Sequence, residues 1–274
     1  MMHGTLEKLE DLKSDFFEVP TVEVWLPEDY DAIKEHPVIY MLDGQWLFDP
    51  ALTWANQAWE VDKSMTKLIK SRKIPPAIVV AIWHHETTRN TDYLPCKVFE
   101  NLPFDFRNAL TGNDAFEVKS DDLLKFIVKE LKPEIDKRFL TSKKIEHTLV
   151  VGSSMGALFA MYAVCEYPEV FGRAGCLSPH WCLVLDGGEN PAPTAFIDYL
   201  QNHLPKPAKH RFYFDIGTGF YDNRNLPFQP KIDAVFREKD YAEKNYCSKV
   251  FEGHNHSEKF WVERFPGVLS FLLS

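Results

Sequence analysis

The chain has 274 residues, 45% of them hydrophobic, enough to bury a large core. Its net charge of −9 and isoelectric point near 5.6 give a field that repels phosphate backbones and anionic lipid surfaces, which argues against nucleic acid or a membrane as partner. The first ten residues lack the basic-then-apolar pattern of a secretory leader, and Cys96, Cys165, Cys176, Cys182 and Cys247 form no C-x-x-C pair, so the expectation is a cytoplasmic protein with reduced thiols.

Residues 16–26 alternate, with Val22, Val24 and Leu26 on one face, as in a half-buried antiparallel strand. Pro37 to Leu42 is nearly continuous in apolar residues, which predicts a strand covered on both faces, and it runs into Asp43-Gly44-Gln45. Trp54, Ala58, Val61, Met65 and Leu68 recur at helical spacing and predict an amphipathic helix over 51–70. Ala77 to Ile82 reads as a second buried strand. Residues 84–119 have no period, and a stretch of that length inside a compact domain predicts a lid or binding insertion. Ser120 is placed to N-cap a long helix carrying Leu123, Ile127, Leu131 and Ile135 in one stripe, with Pro133 expected to bend or split it.

After the apolar run Thr148 to Val151 comes Gly152-Ser153-Ser154-Met155-Gly156, followed by the helix-like Ala157 to Ala163. This is G-x-S-x-G between a strand and a helix, the pattern of a nucleophile elbow. The tight turn brings strand against helix, so small residues are expected at both flanks. Ser154 is the nucleophile candidate, and the backbone N–H of Met155 would face a developing oxyanion. Farther on, Ala174 to Ser178 reads as a short strand, residues 187–191 as a loop, Arg211 to Thr218 as a strand, Lys231 to Tyr241 as a helix, Cys247 to Phe251 as extended and Phe260 to Leu273 as a closing helix. Strands alternating with helices at this spacing predict one α/β domain over 1–274, with a largely parallel sheet covered by helices on both faces.

A serine hydroxyl needs a base to take its proton and an acid to orient the base. In a doubly wound hydrolase these follow in the order serine, acid, histidine. His254 and His256 lie between the last predicted strand and the last helix; His256 is the choice and His254 the alternate. For the acid, Asp222 lies past the turn after the 211–218 strand, with Asp215 and Asp233 as the alternatives. The second oxyanion donor is expected from the loop after the 37–42 strand, as the N–H of Gln45. His84-His85-Glu86 and His254-Asn255-His256 lack the spacing of a dedicated zinc site, so no metal and no other cofactor is expected. Trp46, Trp181 and Phe220, with Phe48, Trp54, Trp83 and Tyr221, fall near predicted strand ends and could line an acyl or alcohol pocket.

Several of these segments together resemble the putative-esterase family of α/β-hydrolases: Gly-Ser-Ser-Met-Gly, Tyr40 to Gln45, Arg89 with Asp92-Tyr93-Leu94-Pro95, Asp215-Ile216-Gly217-Thr218, and the H-x-E-x-x-W of His256, Glu258 and Trp261. The resemblance implies the α/β-hydrolase fold, a catalytic His256 and an oxyanion donor at Gln45. Several relatives carry the acid three residues after the glycine of the Gly-Thr turn, which here is Phe220, so the carboxylate is left to Asp222. The reading is therefore a serine carboxylic-ester hydrolase acting on a small-molecule ester. An acyltransferase using the same acyl-enzyme, or a non-catalytic binding protein of this fold, are the alternatives.

Overall fold

The computed structural model describes residues 2–53, 56–111, 117–183 and 189–274. The expectations attached to Trp54, to residues 112–116 of the 84–119 stretch and to Gly187-Gly188 lie outside them.

Eight strands form one sheet in the order β1-β2-β4-β3-β5-β6-β7-β8. The strands are β1 (Thr5–Lys8), β2 (Val22–Leu26), β3 (Val38–Leu42), β4 (Ile78–Ile82), β5 (Thr148–Ser153), β6 (Arg173–Leu177), β7 (Arg211–Gly217) and β8 (Tyr246–Phe251). Only β2 runs antiparallel to its two neighbours, β1 and β4; every pairing from β4 to β8 is parallel. Parallel pairing requires crossovers, and the helices that make them bury both faces of the sheet. Alternate residues of one strand therefore enter two cores. Val38, Tyr40 and Leu42 join one, with the helix that follows β5, while Ile39 and Met41 join the other, with Val61, Met65, Phe265 and Leu269.

The helices are α1 (Val61–Lys70), α2 (Arg89–Tyr93), α3 (Cys96–Glu100), α4 (Phe104–Thr111), α5 (Ser120–Phe126), α6 (Lys132–Arg138), α7 (Met155–Glu166), α8 (Ala192–His203), α9 (Asp222–Asn225), α10 (Gln229–Glu238) and α11 (Glu258–Leu272). Several depart from expectation. The helix predicted over 51–70 begins only at Val61. Before it, Pro50–Leu52 is a single 3₁₀ turn, and Trp59 is buried against Trp261 and Phe265. The 84–119 stretch contains the three short helices α2, α3 and α4, and α2 packs against α7 and α5. Ser120 is the first residue of α5 rather than its cap, and its hydroxyl instead accepts the N–H of Cys96 at 2.9 Å. The α-helical run is divided near Pro133, which lies in the first turn of α6. A π-turn at Ile127–Leu131 joins α5 to α6 just before it, which relieves the conflict between the proline ring and the carbonyl of the preceding turn. Among the described residues no helix is long and apolar enough to cross a membrane.

Candidate active site

The elbow is built as its spacing requires. β5 ends at Ser153, α7 starts at Met155, and Ser154 between them has φ 57° and ψ −120°, a left-handed conformation that a serine adopts only when the surroundings enforce it. The enforcing contacts are visible. Ser154 N–H donates to the carbonyl of Leu177 on β6 at 3.0 Å, and a Cβ on Gly152 would lie 2.5 Å from the carbonyl oxygen of Gly156. At Gly156 the same test gives 3.5 Å, ordinary contact, so the steric demand expected at both flanks is confined to the first. α7 is apolar and buried from Met155 through Cys165, which fixes the serine on the most enclosed helix of the molecule.

The turn after β7 carries the candidate acid. Asp222 opens α9, fully buried, after Tyr221 in a left-handed conformation (φ 71°). One of its carboxylate oxygens, Oδ1, lies 2.7 Å from His256 Nδ1. The other, Oδ2, accepts the N–H of Gly217 at 2.7 Å and the hydroxyl of Ser178 at 2.8 Å. Gly217 must lack a side chain here, because a Cβ would lie 2.8 Å from that oxygen. Burial alone would raise the Asp222 carboxyl; the His256 imidazole, Ser178 and the Gly217 N–H outweigh it and hold it below the usual carboxylate range.

The alternative acids have other partners. Asp215 lies within β7 and accepts Arg264 Nη1 at 2.8 Å, both side chains fully buried. Asp233 accepts from Gln229 Nε2 and the Tyr246 hydroxyl. His254 points away from Asp222, with Nε2 3.8 Å from Glu263 and its ring against Phe260.

His256 is held from two further sides. Its backbone N–H donates to the Phe220 carbonyl at 3.1 Å, and its ring meets the Trp261 ring edge-on at 5.1 Å. Trp261 Nε1 donates to the Ser178 hydroxyl at 3.0 Å, which in turn donates to Asp222, so the tryptophan of H-x-E-x-x-W supports the acid through one serine. His180 links this cluster to the nucleophile. Its backbone N–H reaches the Ser154 carbonyl at 3.4 Å, its ring faces Tyr221 at 6.5 Å, and Tyr221 faces His256 at 5.7 Å. Burial, with His256 adding to it, lowers the His180 imidazole to about 4, so it is neutral near pH 7. Neither Ser178 nor His180 was marked by the sequence, because both depend on where the loop after β6 lands.

Gln45 sits in a 3₁₀ turn, Gly44–Trp46, directly after β3. Asp43, rather than Gly44, takes the left-handed conformation that turns the chain (φ 57°, ψ 44°). Of the pocket candidates, Trp46 is half-buried with its ring against His84, and Phe220 is 68% exposed beside Tyr221. Trp181 corrects the expectation. It is fully buried, donates Nε1 to Gln229 and packs on Phe196 and Phe214, so it is core and offers no surface to a ligand. His84 and His85 are engaged with Asp43 and Asp92, and among the described residues no three His, Cys, Asp or Glu side chains converge as metal ligands.

The family model described as Putative esterase matches residues 18–272. The chain belongs to that esterase family. Among its relatives, a Bacillus subtilis protein, YbbA, described as uncharacterized, is 23% identical over 91% of this chain and 90% of its own length. An iron(III) enterobactin esterase of Escherichia coli is 31% identical over 54% of this chain, and an endo-1,4-beta-xylanase/feruloyl esterase of Xylanibacter ruminicola is 26% identical over 81%. The aligned regions make up only 30% and 25% of those two proteins. Among solved structures, an enterobactin esterase of Shigella flexneri superposes with a TM-score of 0.70 at 20% identity, covering 99% of this chain and 59% of that one. A ferulic acid esterase gives 0.68 at 16% identity, covering 99% and 98%. At these identities the structures establish the α/β-hydrolase fold for this esterase.

Proposed function

We propose that the protein hydrolyses carboxylic esters through an acyl-enzyme on Ser154, with His256 as general base and then general acid, and Asp222 as the group that orients it. The observation that carries this reading is the buried Asp222 carboxylate 2.7 Å from His256 Nδ1, at the same sheet edge as a serine held in a left-handed turn. In this scheme the Ser154 hydroxyl attacks the ester carbonyl while its proton passes to His256 Nε2. The C–O bond to the alcohol then breaks, and His256 returns the proton to the departing oxygen. Water repeats the sequence on the acyl-enzyme and frees the acid.

The backbone N–H groups of Gln45 and Met155 hold the oxyanion. Both belong to first turns of helical elements, where amides have no intrahelical acceptor, and the N-terminus of α7 adds its positive dipole end. Trp46 and Phe220 are placed to line the substrate site. The relatives named for enterobactin and feruloyl esters put iron(III) enterobactin and methyl ferulate at the head of a substrate panel.

The test is turnover of p-nitrophenyl acetate together with labelling by a fluorophosphonate probe. Wild-type protein should turn over and take one adduct at Ser154, and Ser154→Ala should do neither. Retained turnover in that variant would sink the mechanism, and an unlabelled wild type would leave a binding protein of this fold.

A further inference from the structure

We infer that the Asp43–Arg89 ion pair positions the oxyanion site. Arg89 fixes the backbone of the Asp43–Gln45 turn and cancels the negative charge that Asp43 would otherwise place beside the developing oxyanion. The inference rests on the hydrolase reading above.

The geometry joins the turn to the segment that follows β4. Arg89 Nε and Nη2 each reach one oxygen of Asp43 at 2.7 Å, a two-pronged contact that leaves the carboxylate a single orientation. His84 Nδ1 is a third partner at 2.7 Å, and the Asp43 N–H donates to the Tyr93 hydroxyl at 3.3 Å. Two residues on, the Gln45 side-chain amide exchanges two hydrogen bonds with the backbone of His84, each 3.1 Å. The arginine is itself confined, with its guanidinium carbon 5.2 Å from the Trp46 ring centroid and 5.4 Å from that of Tyr93. The side-chain partners of Asp43 and Gln45 named here thus come from 84–93, a segment with no periodic signal in the sequence.

Charge is the second half of the argument. A Cβ on Gly156 would lie 3.5 Å from Asp43 Oδ2, so the carboxylate rests against the first turn of α7, next to Met155, while Gln45 lies two residues along its own chain. A full negative charge therefore sits by both oxyanion donors, in a place where Asp43 is 1% exposed. In such a medium an unpaired anion would oppose the charge that forms in the transition state. The charged and titratable groups facing the pair are Tyr93 from α2, His84 just past β4, His180 from the loop after β6 and Glu258 from α11. Burial alone would raise the Asp43 carboxyl; Arg89 first and His84 second outweigh it and hold it at about 2. Without Arg89 the largest opposing influence is gone, and the carboxyl rises, with His84 still opposing burial.

The experiment compares full-length wild type with R89M, R89K, D43N and D43N/R89M. It measures kcat and KM on p-nitrophenyl acetate, inhibition by phenylboronic acid, whose serine adduct is tetrahedral and anionic, and the melting temperature. In R89M, kcat should fall about a hundredfold and boronate affinity should fall with it, while KM stays within about twofold. Removing the stranded charge in D43N/R89M should recover roughly tenfold of the lost kcat, and R89K, which keeps the charge without the fork, should fall between R89M and wild type. The R89M to wild-type rate ratio should rise as pH is lowered from about 8 to about 6, because protonation of Asp43 then removes the repulsion. An R89M enzyme with wild-type kcat would overturn the inference, as would a double variant no better than R89M. If R89M does not fold, R89K and D43N carry the same test, since a purely structural pair would lower their melting temperatures and leave boronate affinity relative to KM unchanged. Loss of Ser154-dependent turnover in the wild type would instead overturn the hydrolase reading.

Discussion

Asp215 and Asp222 lie on either side of one turn and are both fully buried; Arg264 lies between them, 2.8 Å from Asp215 and 3.6 Å from Asp222, but only Asp222 also meets His256. Asp222→Asn should lower kcat/KM on the order of 10³- to 10⁴-fold, because an amide no longer enforces the required imidazole tautomer. Asp215→Asn should leave the chemistry largely intact but remove the nearer carboxylate from the buried Arg264, which keeps Asp222 at 3.6 Å, costing up to about 3–5 kcal/mol in a denaturant titration. If Asp215→Asn abolishes activity and Asp222→Asn does not, the two assignments are exchanged. Because the folded-state Asp222 carboxyl is held low, its contribution to stability is present above the usual carboxylate range and is lost as pH falls through its folded value. The approach of Asp222 to His256 was legible in the sequence because a loop carboxylate past a strand end is free to reach a histidine. The Asp43–Arg89 pair was not, since nothing along the chain says which of many aspartates a buried arginine will meet.

At the scale of the element, the elbow makes a demand on one glycine and not on the other. Gly152→Ala should force β5 and α7 apart and abolish labelling of Ser154 by fluorophosphonate, whereas Gly156→Ala, whose new methyl meets Asp43 and Leu42 at ordinary contact distance, should retain most of it. Equal loss in both would mean that helix approach is not what limits the turn. The elements with strong periodicity or continuous apolar runs, β3, β4, β5 and α7, were readable because burial on one or two faces dictates their composition. Those missed are α8, twelve residues long, and several short elements. β1 has a single apolar residue, Leu6, and exists through antiparallel pairing with β2, while α2, α3 and α4 are too brief for a helical period to declare itself.

Across the whole molecule, the strand order puts the nucleophile in the middle of the sheet and its partners toward one side. Ser154 follows β5, which is flanked by β3 and β6, Asp222 follows β7, and His256 follows β8. The order of the candidate serine, acid and histidine along the chain is thus also an order across the sheet, which a linear reading can follow while leaving the contacts between the loops unread. β8 itself has only β7 for a neighbour, and Val250 within it is 56% exposed. The consequence concerns heat and time. An edge strand with one partner opens before the centre does, so warming should carry the imidazole away from a serine whose own scaffold is still intact. The temperature midpoint for esterase activity should then fall below the midpoint for loss of helical circular dichroism, with β8 amides exchanging earliest with deuterium. Coincident midpoints would mean that the edge and the centre melt as one, and that the catalytic base is as firmly founded as the nucleophile it serves.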